Sequence, residues 1–380
     1  METRNPLMPG SATDLAITAV DVYPFDIPMH EPFRIATMVT SRSPNVLIRI
    51  RTSAQELTGW GEASPLHSIT GETQGICIAA AHEIAPLIVG RNPLEIALLV
   101  DLINRFLPHN STIKGAFDMA LYDIAAKHAG MPLYRFLGGR VRRMESDLTI
   151  GIGEPAVAGE KAMAVLSKGF RIIKVKLGAT FEEDEARLRN IRAAIGPDIT
   201  VRVDANQAWD VPTAIKSLRS FEKFDIEFCE QPLRAHDTAG LHAVSRAVSI
   251  PVMADESLFS PADALRLCAA DAAPYFNIKL AKSGGIYSAL QIAAIAQASG
   301  RTCMVGCMLE SRLGLSASAH FAAACESVRY YDIDSCYEHS EELIEGGLTL
   351  TDGIITLPET PGIGAAPKQE TIDRLERAAQ

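Results

Sequence analysis

The chain predicts an eight-stranded α/β barrel joined to a second, α+β domain, and three observations carry that prediction. From about Asp147 short apolar runs alternate with amphipathic helical stretches: LTIGI, RIIKVK, ITVRVD, IEFCE, PVMADE, YFNIK, TCMVG and VRYYDID, the strand count of a barrel. Charged residues close these runs, namely Lys174 and Lys176, Asp204, Glu230, Asp255 and Lys279. They recur at roughly one strand plus one helix, about 25 residues, so groups scattered in sequence converge at the C-terminal mouth of a barrel. Finally, 380 residues exceed the roughly 250 of a plain barrel and leave material for a companion.

The companion comes first in the chain. Its opening residues, 1–14, are polar and carry Pro and Gly, and read as a flexible tail. AITAVDVYPF, NVLIRIRT and GWGEA, between residues 15 and 62, are β-rich, and the Pro- and Ser-bearing stretch from His30 to Pro44 between them reads as a mobile loop. Helical patterns follow at 72–89, 93–106 and 112–129, the last stopped by Gly130 with Pro132 just beyond. The expected organisation is an N-terminal α+β domain over 1–140 and a barrel over 141–340. A segment over 341–380, with the paired short strands of LTLTDGIITL, is expected to return to the first domain.

Composition excludes several classes. A net charge of −10 without a basic run argues against a nucleic-acid surface. No stretch approaches the roughly 20 apolar residues of a membrane span, so a soluble, cytoplasmic protein is expected. The seven cysteines form no C-x-x-C pair and read as reduced; Cys303 and Cys307 lie in an apolar segment where buried thiols are common. The nine histidines show no metal-ligand spacing.

The chemistry follows from alternation along each strand. Lys174 and Lys176 are two apart and point the same way, into the barrel, while Val175 packs outward. Alone, K-x-K is also the pattern of a solvated strand end, and any single acid is also a helix N-cap. The set is more specific. Asp204, Glu230 and Asp255 close three consecutive strands, and three oxygen ligands with open positions suit a hard octahedral cation, Mg²⁺ over Zn²⁺. Asp118 and Asp123, on an apolar helix ahead of the barrel, read as hydrogen-bonding groups at the domain junction, and Gly284-Gly285 as a turn.

DMALYDIAAK with PLYRFLGG, then KVK, VDANQ, EQP, ADES and NIKLAKSGG, resemble the enolase superfamily in its muconate-lactonizing subgroup, over nearly the whole chain. The resemblance implies an N-terminal capping domain on a modified (β/α)7β TIM barrel, with Mg²⁺ held by Asp204, Glu230 and Asp255. It further implies that Lys176 and Lys279 stand on opposite faces of a carbon next to a carboxylate. Lys174 would lie beside that carboxylate, and Asn206 would support the site without touching the substrate. Removing a hydrogen α to a carboxylate creates an enediolate, whose charge a divalent ion and a lysine stabilise where it develops. The base must be neutral, and neighbouring ammonium groups together with Mg²⁺ are expected to favour that form of a lysine. One lysine on each face permits inversion by 1,1-proton transfer.

The shared machinery does not choose among racemization, cycloisomerization and elimination. Asp332 and Asp334, two apart at the end of the eighth run, aim the same way and suit a substrate ammonium. They resemble the D-x-D motif of dipeptide epimerases such as the L-Ala-D/L-Glu epimerases, where it holds the N-terminal α-ammonium. The expected activity is inversion at the C-terminal residue of a dipeptide. Muconate cycloisomerase, o-succinylbenzoate synthase or N-acylamino-acid racemase is the alternative, and a non-catalytic acid-binding barrel a remote one. No macromolecular partner is expected apart from copies of the chain itself. Specificity is expected from the His30–Ser43 loop, the segment near His67 to Glu72, and Cys307, Met308 and Leu309, with Glu310 a further candidate for the pocket wall. Family members acting on Ala-Glu carry an arginine where Met38 falls. Apolar Met38, Met308 and Leu309 therefore favour a hydrophobic C-terminal residue, unless Arg34 or Arg42 swings in.

Overall fold

A computed structural model describes residues 15–378, so the expected tail over residues 1–14 lies outside the described residues. The first domain is a three-stranded antiparallel sheet, β1 (Ile17–Ile35), β2 (Met38–Thr52) and β3 (Thr58–Ala63), packed on helices Gln74–Ile88, Ile96–Phe106 and Ser111–His128. Its core is apolar and mostly aliphatic: Val46, Ile48 and Ile50 of β2 cluster with Ile84, Leu99 and the aromatic Phe117. The helix Gln74–Ile88 begins at Thr73, whose side chain accepts from Ile76 N–H, and the helix Ser111–His128 is followed by Gly130 at φ 66°.

The stretch His30–Pro44 is not a loop. β1 and β2 run on as one hairpin, with Phe33 opposite Thr40, Arg34 opposite Val39 and Ile35 opposite Met38, turning at Ala36-Thr37. Of the prolines that mark it as a loop, Pro32 falls in an irregularity between Pro28 and Phe33, where β1 leaves the register and Met29 bridges to His339 instead, and Pro44 sits in register opposite Asp26. Past it, Ile35, Val39 and Thr40 supply the β-branched residues a strand favours.

A short strand β4 (Met144–Glu145) leads into eight parallel strands: β5 (Leu148–Ile150), β6 (Ile172–Lys176), β7 (Thr200–Asp204), β8 (Ile226–Glu230), β9 (Val252–Ala254), β10 (Tyr275–Ile278), β11 (Thr302–Gly306) and β12 (Val328–Asp332). They hydrogen-bond in sequence order. Asp147 N–H reaches the carbonyl of Tyr331 at 3.2 Å, tying the first edge to the last. These are the strands read from the sequence. Helices follow seven of them, and several start at a side-chain cap: Thr180 with Glu183 as a reciprocal capping box, then Asp210, Asp237, Ser260 and Ser311. A cap contributes about 1 kcal/mol, and each fixes the loop that leaves a strand end at the mouth.

Period two builds the barrel interior in layers. The lower layer is apolar and aromatic: Phe228, Met253 and Met304 with Tyr275 and Tyr330. Arg202 is buried in the same layer between the Phe228 and Tyr330 rings, at 5.1 and 5.2 Å, and donates to Glu227 and Asp147. One pleat higher, the same strands carry the charges. After β12 the chain forms a strand pair, Thr349–Thr351 with Ile354–Thr356, which pairs onto β4; the last helix, Gln369–Ala378, reaches the first sheet, where Glu376 meets Arg49 at 2.8 Å.

The domain junction absorbs both helix aspartates. Asp118 caps the helix Ile286–Ala298 through the N–H groups of Ile286 (2.5 Å) and Tyr287 (3.2 Å), so the turn at Gly284-Gly285 leads into a helix start already occupied by a carboxyl. Asp123 accepts from Trp60 and Ile363 N–H and pairs with Lys127. The hairpin tip rests on barrel backbone: Ile152 N–H donates to Arg34 carbonyl at 2.9 Å. A Cβ at Gly151 would lie 3.1 Å from that oxygen, and one at Gly178 would lie 3.0 Å from Ala36 Cβ.

Candidate active site

The strand ends place Lys174, Lys176, Asp204, Glu230, Asp255, Lys279 and Asp332 in one buried cluster. Register accounts for it: Lys176 pairs with Asp204, and Asp204 with Glu230. Lys174 Nζ lies 2.7 Å from Glu230 Oε2, 2.7 Å from Asp332 Oδ2 and 3.4 Å from Asp204 Oδ2. Lys176 Nζ is 2.6 Å from Asp204 Oδ2, and Lys279 Nζ is 2.9 Å from Asp255 Oδ2. Space for Lys279 exists because position 306 is glycine; a Cβ there would lie 3.0 Å from Lys279 Cε and 2.7 Å from Asn277 Oδ1.

Several residues that complete the cluster were not singled out from the sequence. Glu256 is buried and accepts from Asn206 Nδ2 at 3.2 Å. Asn277 donates to Glu230 Oε1 at 2.8 Å. Lys282, on the turn after Lys279, holds Asp255 Oδ1 at 2.5 Å and the Asp255 and Asn277 carbonyls at 2.5 and 3.0 Å. Gln231 accepts from the N–H groups of Asp255 and Ser257, fixing the chain that carries Asp255. Asn206, at φ 40°, donates its N–H to Asp204 Oδ1 at 2.8 Å.

Carboxylates outnumber cations here, so of the two influences expected to favour a neutral base, ammonium neighbours and Mg²⁺, the ammonium neighbours alone do not suffice. Burial opposes the charge of Lys279, yet Asp255 and Glu230 overcome it and hold the ammonium well above its usual range. Lys174 is raised in the same way against its burial by Asp332, Glu230 and Asp204. Burial and Asp204 push Glu230 up to about 7, and burial with Asp255 pushes Glu256 up to about 8. Asp204 and Asp255 go down despite burial, Asp204 through Lys176 and Lys174, Asp255 through Lys279 and Lys282.

The residues present fit a divalent cation. Glu230 Oε2, Asp255 Oδ1, Asn206 Oδ1 and Glu256 Oε2 are buried without a partner in hydrogen-bond geometry, although lysine ammonium groups approach the first two. Buried acceptors in excess, all oxygen, are the donor set of a hard cation.

At the end of β12, Asp332 and Asp334 come together with Cys307, one ligand atom of each within 4.8 Å of the others. Asp334 Oδ2 accepts Thr149 N–H at 2.8 Å, and Cys307 Sγ donates to Oδ1 at 3.5 Å. Burial and Asp332 push Asp334 up to about 6, while Asp332, despite burial, is held down at about 2 by Lys174. The Cys307 thiol is raised by burial and Asp334, which leaves it a weak donor.

Lys176 and Lys279 share a small cavity with Asn206 and an otherwise largely apolar lining: Phe33, Met38, Leu66, Ile69, Met308 and Leu309. Met38, Met308 and Leu309 are thus brought together. Arg34 and Arg42 are not in this wall; Arg42 faces Asp26 at 3.5 Å and is exposed. Glu310 is also outside it, its carboxylate turned back to accept Met308 N–H at 2.6 Å.

Residues 17–138 match the mandelate racemase / muconate lactonizing enzyme N-terminal domain, and residues 157–371 match the enolase C-terminal domain-like family. The chain belongs to the mandelate racemase / muconate lactonizing enzyme family of the enolase superfamily. It is 39% identical to the D-Ala-D/L-Ala epimerase of Cytophaga hutchinsonii over 96% of this chain and 99% of that one. It is 36% identical to the hydrophobic dipeptide epimerase of Enterococcus faecalis over 92% and 99%. The crystal structure of the Cytophaga hutchinsonii dipeptide epimerase with Mg and D-Ala-L-Val superposes with a TM-score of 0.93, covering 95% of this chain and 98% of that one at 39% identity. A muconate lactonizing enzyme of Pseudomonas fluorescens complexed with muconolactone reaches 0.91, over 95% and 99%, at 29% identity. Within this family the backbone therefore does not separate the reactions, and the side chains of the site must.

Proposed function

We propose that this chain is a Mg²⁺-dependent dipeptide epimerase that inverts the α-carbon of the C-terminal residue. The observation that carries the reading is the pairing of two lysines on one cavity with the Asp332/Asp334 pair beside it. A dipeptide whose ammonium meets the two aspartates extends its C-terminal residue toward the lysines. Muconate and succinylbenzoate have no ammonium, and two carboxylates beside them only repel.

In this reading Asp204, Glu230 and Asp255 hold the cation, and Asn206 supports them through Asp204 and Glu256. Bound there, the cation would neutralise the acids that keep the lysines protonated and would stabilise charge developing on the substrate carboxylate. Lys174 adds a fixed ammonium next to that carboxylate. Lys176 and Lys279 rise from β6 and from the end of β10, with β7, β8 and β9 between them, so they approach the α-carbon from opposite sides. One takes the α-proton and the other returns a proton to the opposite face, which inverts the centre.

The wall of Phe33, Met38, Leu66, Ile69, Met308 and Leu309 supports a preference for aliphatic or aromatic C-terminal residues, because a side-chain carboxylate buried there meets no fixed cation beyond the two bases. The domain limits at 140 and 340 belong to the same proposal. So do a cytoplasmic location and assembly with copies of itself; no helix among the described residues is long and apolar enough to cross a membrane.

A dipeptide library incubated in D2O and read by mass spectrometry tests the reading, since exchange reports α-proton abstraction whatever the product. Deuterium should enter the C-terminal residue of L-Ala-L-Leu or L-Ala-L-Phe, with kcat/KM above that for L-Ala-L-Glu. Turnover of N-acylated amino acids at rates equal to dipeptides would favour a racemase acting on acylated substrates. Ala-Glu well above every apolar dipeptide would overturn the side-chain preference alone.

A further inference from the structure

A buried ion pair on the helix Phe181–Ile195, which follows β6, contacts the backbone beneath both Lys176 and the hairpin tip. Arg187 is 1% exposed, and its guanidinium forks: Nη1 donates to the carbonyl of Lys176 at 2.5 Å and Nη2 to the carbonyl of Gly151 at 2.8 Å. The Gly151 carbonyl belongs to the same planar peptide group as Ile152 N–H, the donor to the Arg34 carbonyl of the hairpin at 2.9 Å. Asp184, one turn earlier on the helix and equally buried, accepts Gly178 N–H through Oδ2 at 2.9 Å. Its Oδ1 lies 3.7 Å from Arg187 Nη1 and has no hydrogen-bond partner. Gly151 and Gly178 are the glycines that face Arg34 and Ala36, so the pair fixes both points on which the tip lands.

We infer that Arg187 and Asp184 are positioning residues that set the root of the Lys176 side chain and couple it to the docking of the hairpin, so that base and pocket wall come into place together. The inference rests on the dipeptide-epimerase reading in taking Lys176 as a base. Stability is a weak reason for burying such a pair, since apolar residues in its place are often neutral or stabilising. Its hydrogen bonds go to the backbone of two adjacent strands at the mouth instead. The ladder of β5 and β6 ends with Ile150 opposite Val175, and the guanidinium bridges the next two residues, Gly151 and Lys176. A rigid fork holds those carbonyls at a fixed spacing, which an ammonium on a flexible stem does not. Lys279 stands at the end of β10, with β7, β8 and β9 between it and this fork. Loss of the fork therefore displaces one base and not the other, and a misplacement of about 1 Å costs about a hundredfold in rate.

Epimerization rates in the two directions are tied by the equilibrium constant and do not separate the bases, so the test uses single-base proteins. Arg187→Lys, which keeps the charge and loses the fork, is placed in Lys279→Ala and in Lys176→Ala, and α-hydrogen exchange of L-Ala-L-Leu and L-Ala-D-Leu is measured in D2O. With Lys176 as the remaining base, exchange should fall about 10- to 100-fold; with Lys279 as the remaining base it should change by less than about threefold. In the otherwise wild-type protein, Arg187→Lys should make the Ile152 amide, followed by mass spectrometry in a peptide covering residues 148–157, exchange about tenfold faster, the size of one hydrogen bond. Asp184→Asn keeps an acceptor for Gly178 N–H without the charge; it should move both readouts the same way by less, and it decides the matter if Arg187→Lys does not fold. Equal loss in the two single-base proteins would overturn the positioning of Lys176, and an Ile152 amide that exchanges as in wild type would overturn the link to the hairpin. Exchange of no dipeptide by the wild-type protein would instead remove the epimerase reading, and the Ile152 amide alone would then decide the coupling.

Discussion

At the barrel mouth the charged groups stand on, or one residue beyond, the ends of hydrogen-bonded parallel strands, whereas the hairpin tip is paired only to itself over Phe33–Thr40 and rests on the barrel through backbone. The first region presents acids and ammonium groups at 2.5 to 2.9 Å from one another; the second presents Phe33 and Met38. In the proposed function reaction type belongs to the strand ends, and the choice of substrate belongs in part to the tip. Changes at strand ends should therefore abolish turnover, and changes at the tip should redistribute it.

The largest effect is expected at the acids. Glu230→Gln should lower kcat/KM by about 10³-fold or more, with Mg²⁺ affinity falling in parallel by titration calorimetry and the thermal transition preserved, because the packed layers beneath are untouched. Near-normal turnover after chelation would remove Glu230 from the cation site. Next come the lysines. Lys176→Ala and Lys279→Ala should each stop epimerization, yet each should still exchange the α-hydrogen of one stereoisomer in D2O. If both variants exchange both isomers equally, two opposed bases are not present.

At the tip, Met38→Arg should keep turnover while raising the ratio of Ala-Glu to Ala-Leu by about 10- to 100-fold, the range of one desolvated charge pair. An unchanged ratio would move the specificity elsewhere, and collapse of all activity would mean that the tip belongs to the machinery. N-acetylation of a good dipeptide probes the aspartate pair between the two regions: kcat/KM should fall about tenfold or more with the ammonium removed.

The smallest effect concerns stability, and both regions share it. Burial pushes His320 and His339 down to about 4. His320 Nδ1 accepts Tyr134 N–H, and His339 Nε2 contacts Ser43 Oγ at 2.9 Å, so one ties the domain junction and the other the hairpin. The unfolded chain binds these protons near pH 6.5 and the folded one near 4, so stability should fall as pH drops through that window, by at most roughly 1.4 kcal/mol per pH unit for each group. Denaturant melts from pH 7 to pH 4 check it, and His339→Gln should flatten the slope; a slope equal to wild type would place the titration elsewhere.

The barrel was legible in the sequence because its signal is periodic twice over, alternate residues within a strand and one strand with its helix between charged ends. Legibility ends where that geometry does. Glu256 follows Asp255 directly, and strict alternation aims it away from the mouth, but β9 stops at Ala254 and the chain has left the pleat. Lys282 returns to the site because a helical turn over Leu280–Ser283 brings position three onto the face of Lys279. Asn277 did share the parity of Lys279 and carried a readable signal. The hairpin was hidden by its prolines, Pro32 at an irregularity and Pro44 in register opposite Asp26, places that only the pairing reveals.

The glycines under the hairpin bear on how such an enzyme diverges. Gly151 and Gly178 offer the tip no side chain to match, and the contact that docks it, Ile152 N–H to the Arg34 carbonyl, reads backbone alone. A landing surface of that kind is indifferent to which residues arrive on it. Phe33, Met38 and their neighbours can thus be exchanged one at a time through descent, every intermediate still closing over the same lysines, and a lineage can acquire a new diet without an inactive ancestor between the old and the new.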